Sequence, residues 1–329
     1  KIKINFRYFW KGFDKENNFY TNLLRENYNV QISEEPDYIF YSTYQESGPE
    51  NIGGIGQAIK SISPKGYSIL RKAFAKTYSL IHKPKKIVGG AVKIFCSSEH
   101  VRPNMKECDW AFSSYFEDEI NHSHYMRIPL FLINDFQLAS RGIPPLVKKI
   151  DLKKIKKEKT RFCNFIYSQD VLERNNFFKK LSQYKQIDAP GRCMNNVPPI
   201  DLGDPKKSRE SQNWVTQKLK YIRQYKFTIA FENISSSGWV TEKLTHPLLV
   251  NSIPIYFGSP TVGRDFNTKS FINSTDFKNV EELIGHVKKV DQDDKLYMAY
   301  LKEPFYKNNN QSNSIDKKRI TKRFKEIFG

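Results

Sequence analysis

The chain has 329 residues, 39% hydrophobic and 27% charged, which excludes a disordered or fibrous protein and leaves room for two domains with separate cores. Its formal charge of +19 points to an anionic partner, whether nucleic acid, membrane surface or nucleotide. No apolar run approaches the roughly 20 residues that span a bilayer, and KIKINFRYFWKG lacks a long apolar core with a cleavage site, so no secretory route is signalled.

KIKINFRYFW reads as a strand, FYTNLLREN as a short helix and PDYIFYS as a second strand, the alternation of a parallel sheet covered by helices. KIVGGAVKIFC, CDWAFSS and MRIPLFL extend this half. RGIPPLVKKIDLKKIKKEKT follows, with paired prolines and eight Lys/Arg against two acids between Lys148 and Arg161, and reads as a linker. The second half restarts with the strand RFCNFIYS and the helix VLERNNFFKKLSQY, whose Leu172, Phe177, Phe178 and Leu181 lie near helical spacing. QKLKYIRQY precedes the strand KFTIAF, and beyond it come IPIYFGSP, SFINST and the helices VEELIGHVKKV and DKLYMAYL.

The expected organisation is therefore residues 1–150, residues 151–305 and a basic tail, 306–329. The tail places Ile320, Phe324, Ile327 and Phe328 on one helical face with cations around the rest. That pattern suits an anionic membrane surface or a helix packed back on the protein. Cys96, Cys108, Cys163 and Cys193 show neither CxxC spacing nor a disulfide framework, as in a reduced cytosolic chain. Much of the excess charge sits in two short stretches, and no helix-turn-helix, zinc or RRM signature accompanies it, so no nucleic-acid partner is expected.

In an open α/β sheet, ligands bind outside the carboxyl ends of the strands, where helix N-termini offer free N–H groups. FTIAF, then ENISSSGWV, then Thr241 reads as strand, turn and helix N-cap. This sets Glu232, Asn233, Glu242 and Lys243 at the mouth of a strand and a helix, with Ser235 to Gly238 as a turn open to a phosphate. By itself a Ser/Gly turn capped by Thr is more often only a turn. The absence of GxxxxGK[ST] and of a tight GxGxxG argues against P-loop NTPases and simple dehydrogenases.

KFTIAFENISSSGWVTEKLTHPLLVNSIPIYFGSP, Lys226 to Pro260, closely resembles the signature of the family ten glycosyltransferases, the α1,3/4-fucosyltransferases, bacterial members included. SSEHVRPN, Ser97 to Asn104, is similar to the family's GENxRPN segment, and Asn164 to Asn196 to its strand, Arg-bearing helix and glycine turn. The resemblance covers most of residues 93–305, while 1–90 and the tail carry no diagnostic match.

The resemblance implies an α/β fold of GT-B architecture, with two Rossmann-like domains facing each other across a cleft: an acceptor-binding N-terminal half and a half that binds GDP-β-L-fucose. It implies an inverting transferase that needs neither metal nor cofactor, with GDP-fucose as donor substrate. Glu99 matches the family's proposed base, and Arg174 and Lys243 match its phosphate-holding cations. Glu242 matches a carboxylate near the ribose and donor sugar, and Asn233 is expected to help order the loop. Two departures stand out. Trp239 replaces the usual Tyr of bacterial members, which puts donor contacts and donor identity in question, and Phe257 replaces a Trp, which suggests core packing.

The expected activity is transfer of L-fucose to O3 of N-acetylglucosamine in a β-galactoside-containing glycan, such as lipopolysaccharide O-antigen. The expected place is the cytoplasm, with peripheral contact to the inner membrane through the tail. The alternatives are a GT-B transferase using another nucleotide sugar, favoured by Trp239, and, from a different class, a basic nucleic-acid-binding protein.

Overall fold

The computed structural model describes residues 1–43, 90–97, 99–139, 142–143, 146, 151–200, 214–306 and 316–329. The paired prolines Pro144 and Pro145 and the lysines Lys148 and Lys149 of the expected linker lie outside the described residues. The chain divides into two compact units: Lys1–Ser113 with Ile120–Met126 and Arg323–Gly329, and Ser114–Glu119 with Arg127–Lys322.

The first unit is built on a sheet of order β2-β1-β3-β4-β5-β6. Its strands are β1 Ile2–Arg7, β2 Val30–Ile32, β3 Tyr38–Tyr41, β4 Val92–Cys96, β5 Trp110–Ser113 and β6 Tyr125–Arg127, and β1 to β5 pair in parallel. Parallel strands are covered on both faces, which is why Ile39, Phe40 and Tyr41 of β3 and Ile94, Phe95 and Cys96 of β4 are buried in sequence rather than alternately. The helix α1, Phe19–Arg25, starts where the Asn18 side chain accepts hydrogen bonds from the backbone N–H groups of Tyr20 and Thr21. MRIPLFL is divided: β6 ends at Arg127, and past the short helix α2, Glu117–Ile120, and this strand, α3 covers Leu130–Ala139, begun after Pro129.

The second sheet has the order β11-β10-β9-β7-β8, all parallel. Its strands are β7 Arg161–Asn164, β8 Ile187–Asp188, β9 Tyr225–Phe231, β10 Ile253–Phe257 and β11 Ile272–Asn273. The helices are α4 Leu152–Glu158, α5 Leu172–Ser182, α6 Trp214–Ile222, α7 Glu242–Leu249, α8 Val280–Gln292 and α9 Asp294–Lys302. Phe165, Phe177, Phe227, Ile255 and Val287 form the centre of its core. Leu172, expected on the apolar face of α5, is 47% exposed, and Val171 before the helix takes the buried place.

Two expectations are corrected. The second part of the expected linker is helical, because Asp151 caps α4 through the Lys154 N–H and Ile155 gives it a buried anchor. The tail forms α10, Lys317–Phe328, and its apolar stripe is not free to enter a lipid surface, since Ile320, Phe324, Ile327 and Phe328 are all buried. In the first unit Phe328 lies 4.5 Å from the Tyr38 ring and Phe324 lies 5.9 Å from Phe112. Lys318, Lys322 and Lys325 remain exposed. Among the described residues no helix is long and apolar enough to cross a membrane.

Counted within each sheet, both run second, first, third, fourth, fifth strand, with β6 added as a sixth strand at the edge of the first, the doubly wound order whose ligand crevice opens between the first and third strands. Those switch points are β1/β3 and β7/β9.

Candidate active site

At the β7/β9 switch point the chain brings together Arg174 of α5 and the residues that follow β9. Arg174 is 1% exposed. Its Nη1 donates to the Phe231 carbonyl at 3.3 Å and to Asn233 Oδ1 at 3.0 Å, and Nη2 donates to the Gln169 carbonyl at 2.6 Å. The guanidinium carbon stacks 3.7 Å over the Tyr167 ring. Tyr167 in turn bonds the β9 backbone, donating to the carbonyls of Ile229 and Phe231 and accepting from the Phe231 N–H. Burial pushes the Arg174 pKa down, yet a guanidinium stays protonated. Its Nε is buried and finds no acceptor, a cost of about 1–3 kcal/mol unless an anion supplies one.

After the ten residues 232–241 that follow β9, the helix α7 opens as expected, with the Thr241 hydroxyl capping the Lys243 N–H. Thr241 is fastened to Glu232, whose carboxylate accepts from its N–H at 2.9 Å and its hydroxyl at 3.0 Å. Lys243 Nζ donates to the same carboxylate at 3.0 Å, in a pair with side-chain exposures of 18% and 0%. Burial raises the Glu232 pKa, against the opposing pull of Lys243. Burial also works against the Lys243 ammonium, but Glu232 and Glu242 outweigh it and raise its pKa. Glu242 keeps 35% of its side chain exposed, with Lys218 3.9 Å away. Partial burial raises its carboxyl, but Lys243 and Lys218 more than offset this and hold it down at about 2.

The surroundings leave little slack. A Cβ at Gly258 would collide with the Tyr256 hydroxyl and the Glu232 side chain, and one at Gly191 with the Tyr167 backbone. Lys218, Glu242 and Lys243, with Tyr167 and Thr228, also line a cavity of about 20 Å³, room for about one water. Trp239 is 4% exposed, with the Lys243 ammonium 6.0 Å from its ring. Phe257 packs on the core, 5.6 Å from the Phe231 ring.

Of the residues singled out in the sequence, Arg174, Asn233, Trp239, Glu242 and Lys243 thus fall on the second unit. Glu99 stands on the first, in the loop after β4, where its N–H bonds the Ser97 hydroxyl at 3.2 Å. Glu232, noted at the strand mouth but given no role, is the buried centre of the α7 entrance. Tyr167, Gln169 and Lys218 were not singled out at all. Glu232 was within reach as the carboxylate of the FEN triplet, whereas nothing local distinguishes Lys218 from Lys220, the other lysine of α6.

The comparisons with known proteins bear on the whole chain. Residues 155–324 match the family model "Glycosyltransferase family 10 (fucosyltransferase) C-term", and residues 4–53 match "Alpha-(1,3)-fucosyltransferase FucT N-terminal domain". Residues 4–53 of the N-terminal stretch and most of the tail, which carried no diagnostic motif, therefore belong to the likeness. A putative fucosyltransferase of Acanthamoeba polyphaga mimivirus is 39% identical over 153 residues, 46% of this chain and 25% of that protein. An alpha-(1,3)-fucosyltransferase of Helicobacter pylori is 28% identical over 246 residues, 69% of this chain and 49% of that one. The GDP-fucose protein O-fucosyltransferase 3 of Homo sapiens is 32% identical over 187 residues, 55% and 37% of the two chains. The matches span between a quarter and a half of these relatives' lengths.

A crystal structure of an alpha1,3-fucosyltransferase with GDP-fucose superposes with a TM-score of 0.68 at 22% identity, covering 99% of this chain and 90% of that one. The likeness is one of fold, the GT-B fold with its two Rossmann-like units. The family is fixed by the first match, which takes in more than half of the residues: the chain belongs to glycosyltransferase family 10, the fucosyltransferase family.

Proposed function

We infer that the protein transfers L-fucose from GDP-β-L-fucose to O3 of N-acetylglucosamine in a β-galactoside-containing glycan such as a lipopolysaccharide O-antigen, with inversion and without metal. The observation that carries this reading is the buried guanidinium of Arg174, its Nε without an acceptor, at the switch point of a family 10 chain. A diphosphate leaving group needs fixed cations on its developing charge. Arg174 supplies planar donors and Lys243, at the open end of α7, a compact charge. Glu242, ionised down to about 2, is acceptor-only and suits the hydroxyls of a ribose or donor sugar, while Asn233 and Gln169 hold Arg174 in place.

In this reading Glu99 is the base. It takes the proton of the acceptor hydroxyl, whose oxygen attacks the anomeric carbon from the face opposite the diphosphate, and the carbon–oxygen bond to GDP breaks with its electron pair leaving on GDP. The first unit is read as the acceptor side and the second as the donor side. A cytoplasmic location belongs to the same reading. Of the tail's amphipathic pattern, only the cationic face is left for anionic lipid.

A second acceptor class has specific support, since relatives at 30–32% identity over 187 residues are named protein O-fucosyltransferases. Incubation of the protein with GDP-fucose and either N-acetyllactosamine or serine- and threonine-containing peptides, with chelator present, separates the two by mass spectrometry. A fucosylated disaccharide, its linkage assigned by NMR as α1,3, supports the first reading. Modified peptide and unmodified disaccharide would replace it with the second, and transfer from UDP- but not GDP-sugars would favour the alternative that Trp239 raises.

A further inference from the structure

The turn leading into α7 is tied from two sides, and one tie comes from a side chain that no motif marks. Arg127 and Asp265 are each 1% exposed and pair through two bonds, Nη1 to Oδ1 at 2.7 Å and Nη2 to Oδ2 at 2.8 Å. Arg127 Nε donates to the Ser114 carbonyl at 2.9 Å and Nη2 also donates to the Gly238 carbonyl at 3.2 Å. Its guanidinium carbon lies 4.0 Å over the Phe116 ring.

Gly238 is held on its other side as well. Its N–H faces Ser259 Oγ at 3.1 Å and Thr261 Oγ1 at 3.0 Å. It has φ of +68°, and a Cβ would collide with the Ser114 carbonyl oxygen, so only glycine fits. Three residues later Thr241 is bonded to Glu232. The segment that delivers Glu242 and Lys243 is therefore anchored at both ends.

Stability does not account for the Arg127–Asp265 pair. A buried arginine–carboxylate pair is about neutral against well-packed apolar side chains of similar volume. Apolar residues would not supply a donor for the Gly238 carbonyl, and that is what Arg127 adds. We propose that Arg127 is a positioning residue for donor binding: anchored on Asp265, it holds the Gly238 carbonyl and so sets where α7 presents Glu242 and Lys243 to a nucleoside diphosphate. The inference rests on the nucleotide reading of this site and deepens it.

Two variants test it. Arg127→Lys keeps the charge and loses the fork, and the double variant Arg127→Met with Asp265→Leu removes the pair without leaving an unpaired buried carboxylate. Both are compared with the unaltered protein in thermal unfolding, in amide hydrogen exchange over residues 235–241 and in calorimetric titration with GDP. The expected result is a folded double variant with its melting temperature largely kept. Exchange in 235–241 should rise about tenfold with β9 and α8 unchanged, and GDP affinity should fall about tenfold with the acceptor KM unmoved. If the double variant does not fold, Arg127→Lys makes the same comparison. Unaltered protein that binds GDP beside folded variants with exchange and affinity within about twofold of it overturns the positioning role and leaves the nucleotide reading standing. Unaltered protein that binds no GDP overturns both.

Discussion

The β7/β9 and β1/β3 switch points share a strand order and carry opposite side chains. After β7 and β9 stand Arg174, Glu232 and Lys243, all drawn out of water and bonded to backbone or to one another. After β1 stands a cluster of rings instead. Phe9 and Phe13 stack at 4.2 Å, and Trp10 meets Phe13 edge-on at 4.9 Å with 44% of its surface exposed. Tyr8 holds this loop in a left-handed conformation, φ 59°, which a non-glycine residue adopts at a cost on the order of 1–3 kcal/mol. Topology supplies the same crevice twice, and side chains decide what enters it. Fixed cations suit a diphosphate, and exposed rings suit the C–H face of a sugar.

The sharpest way to break this contrast is Glu99→Ala. As the proposed base on the first unit, in the loop after β4, the carboxylate should matter to chemistry more than to folding. Turnover should fall about 10²–10⁴-fold, with GDP affinity unchanged and stability within about 0.5 kcal/mol. Near-normal turnover would remove Glu99 as the base.

Lys243→Ala should behave in the opposite manner. It strips the partner from a buried carboxylate and should cost about 3 kcal/mol in urea unfolding, the low end for such pairs because the ammonium keeps some solvent contact. GDP binding should weaken with it. Adding Glu232→Gln should restore most of the stability but not the binding, and recovery of both would make the pair a purely structural one.

The pH dependence of the second unit offers a smaller test. His246 of α7 is buried, and burial together with the Lys218 ammonium depresses its pKa from 6.5 to about 3. A depressed folded-state pKa means that the unfolded chain binds the proton more readily. The contribution is therefore complete above pH 6.5 and is lost as pH falls toward 3, by up to about 1.4 kcal/mol per pH unit. His246→Gln should flatten urea stability between pH 6.5 and 5, and an unchanged slope would assign the acid sensitivity elsewhere.

The smallest effect is expected at Trp10. Trp10→Ala should raise the acceptor KM by about three- to tenfold, as loss of roughly 1 kcal/mol of ring contact would, and leave GDP affinity alone. A change in GDP affinity would show that the two switch points are not divided by substrate.

What could be read from the sequence was what lies close together along it. FTIAF, the Ser/Gly turn and Thr241 form one contiguous strand, turn and cap, and α7 begins where the Thr241 hydroxyl predicts. Arg174 was legible through its resemblance to the family's helix arginine, although its position on an amphipathic helix reads as a solvent-facing charge. What lay hidden was long-range. Arg127 and Asp265 are 138 residues apart, and neither position carries a local pattern that requires the other. The α4 lysines looked like a linker because charge density masks the single buried Ile155. The tail's apolar stripe had two readings, since amphipathicity alone does not say whether lipid or protein covers it, and the rings of Tyr38 and Phe112 decide for protein.

The central claim is that the charged switch point of the second unit binds a guanosine diphosphate through Arg174 and Lys243. The most direct test is calorimetric titration with GDP, UDP and CMP at fixed salt with chelator present, on the unaltered protein and on Arg174→Ala. The account predicts metal-free binding of GDP in preference to UDP and CMP, weakened at least about tenfold in the variant. Preference for UDP, absence of nucleotide binding, or GDP affinity indifferent to Arg174 would contradict it.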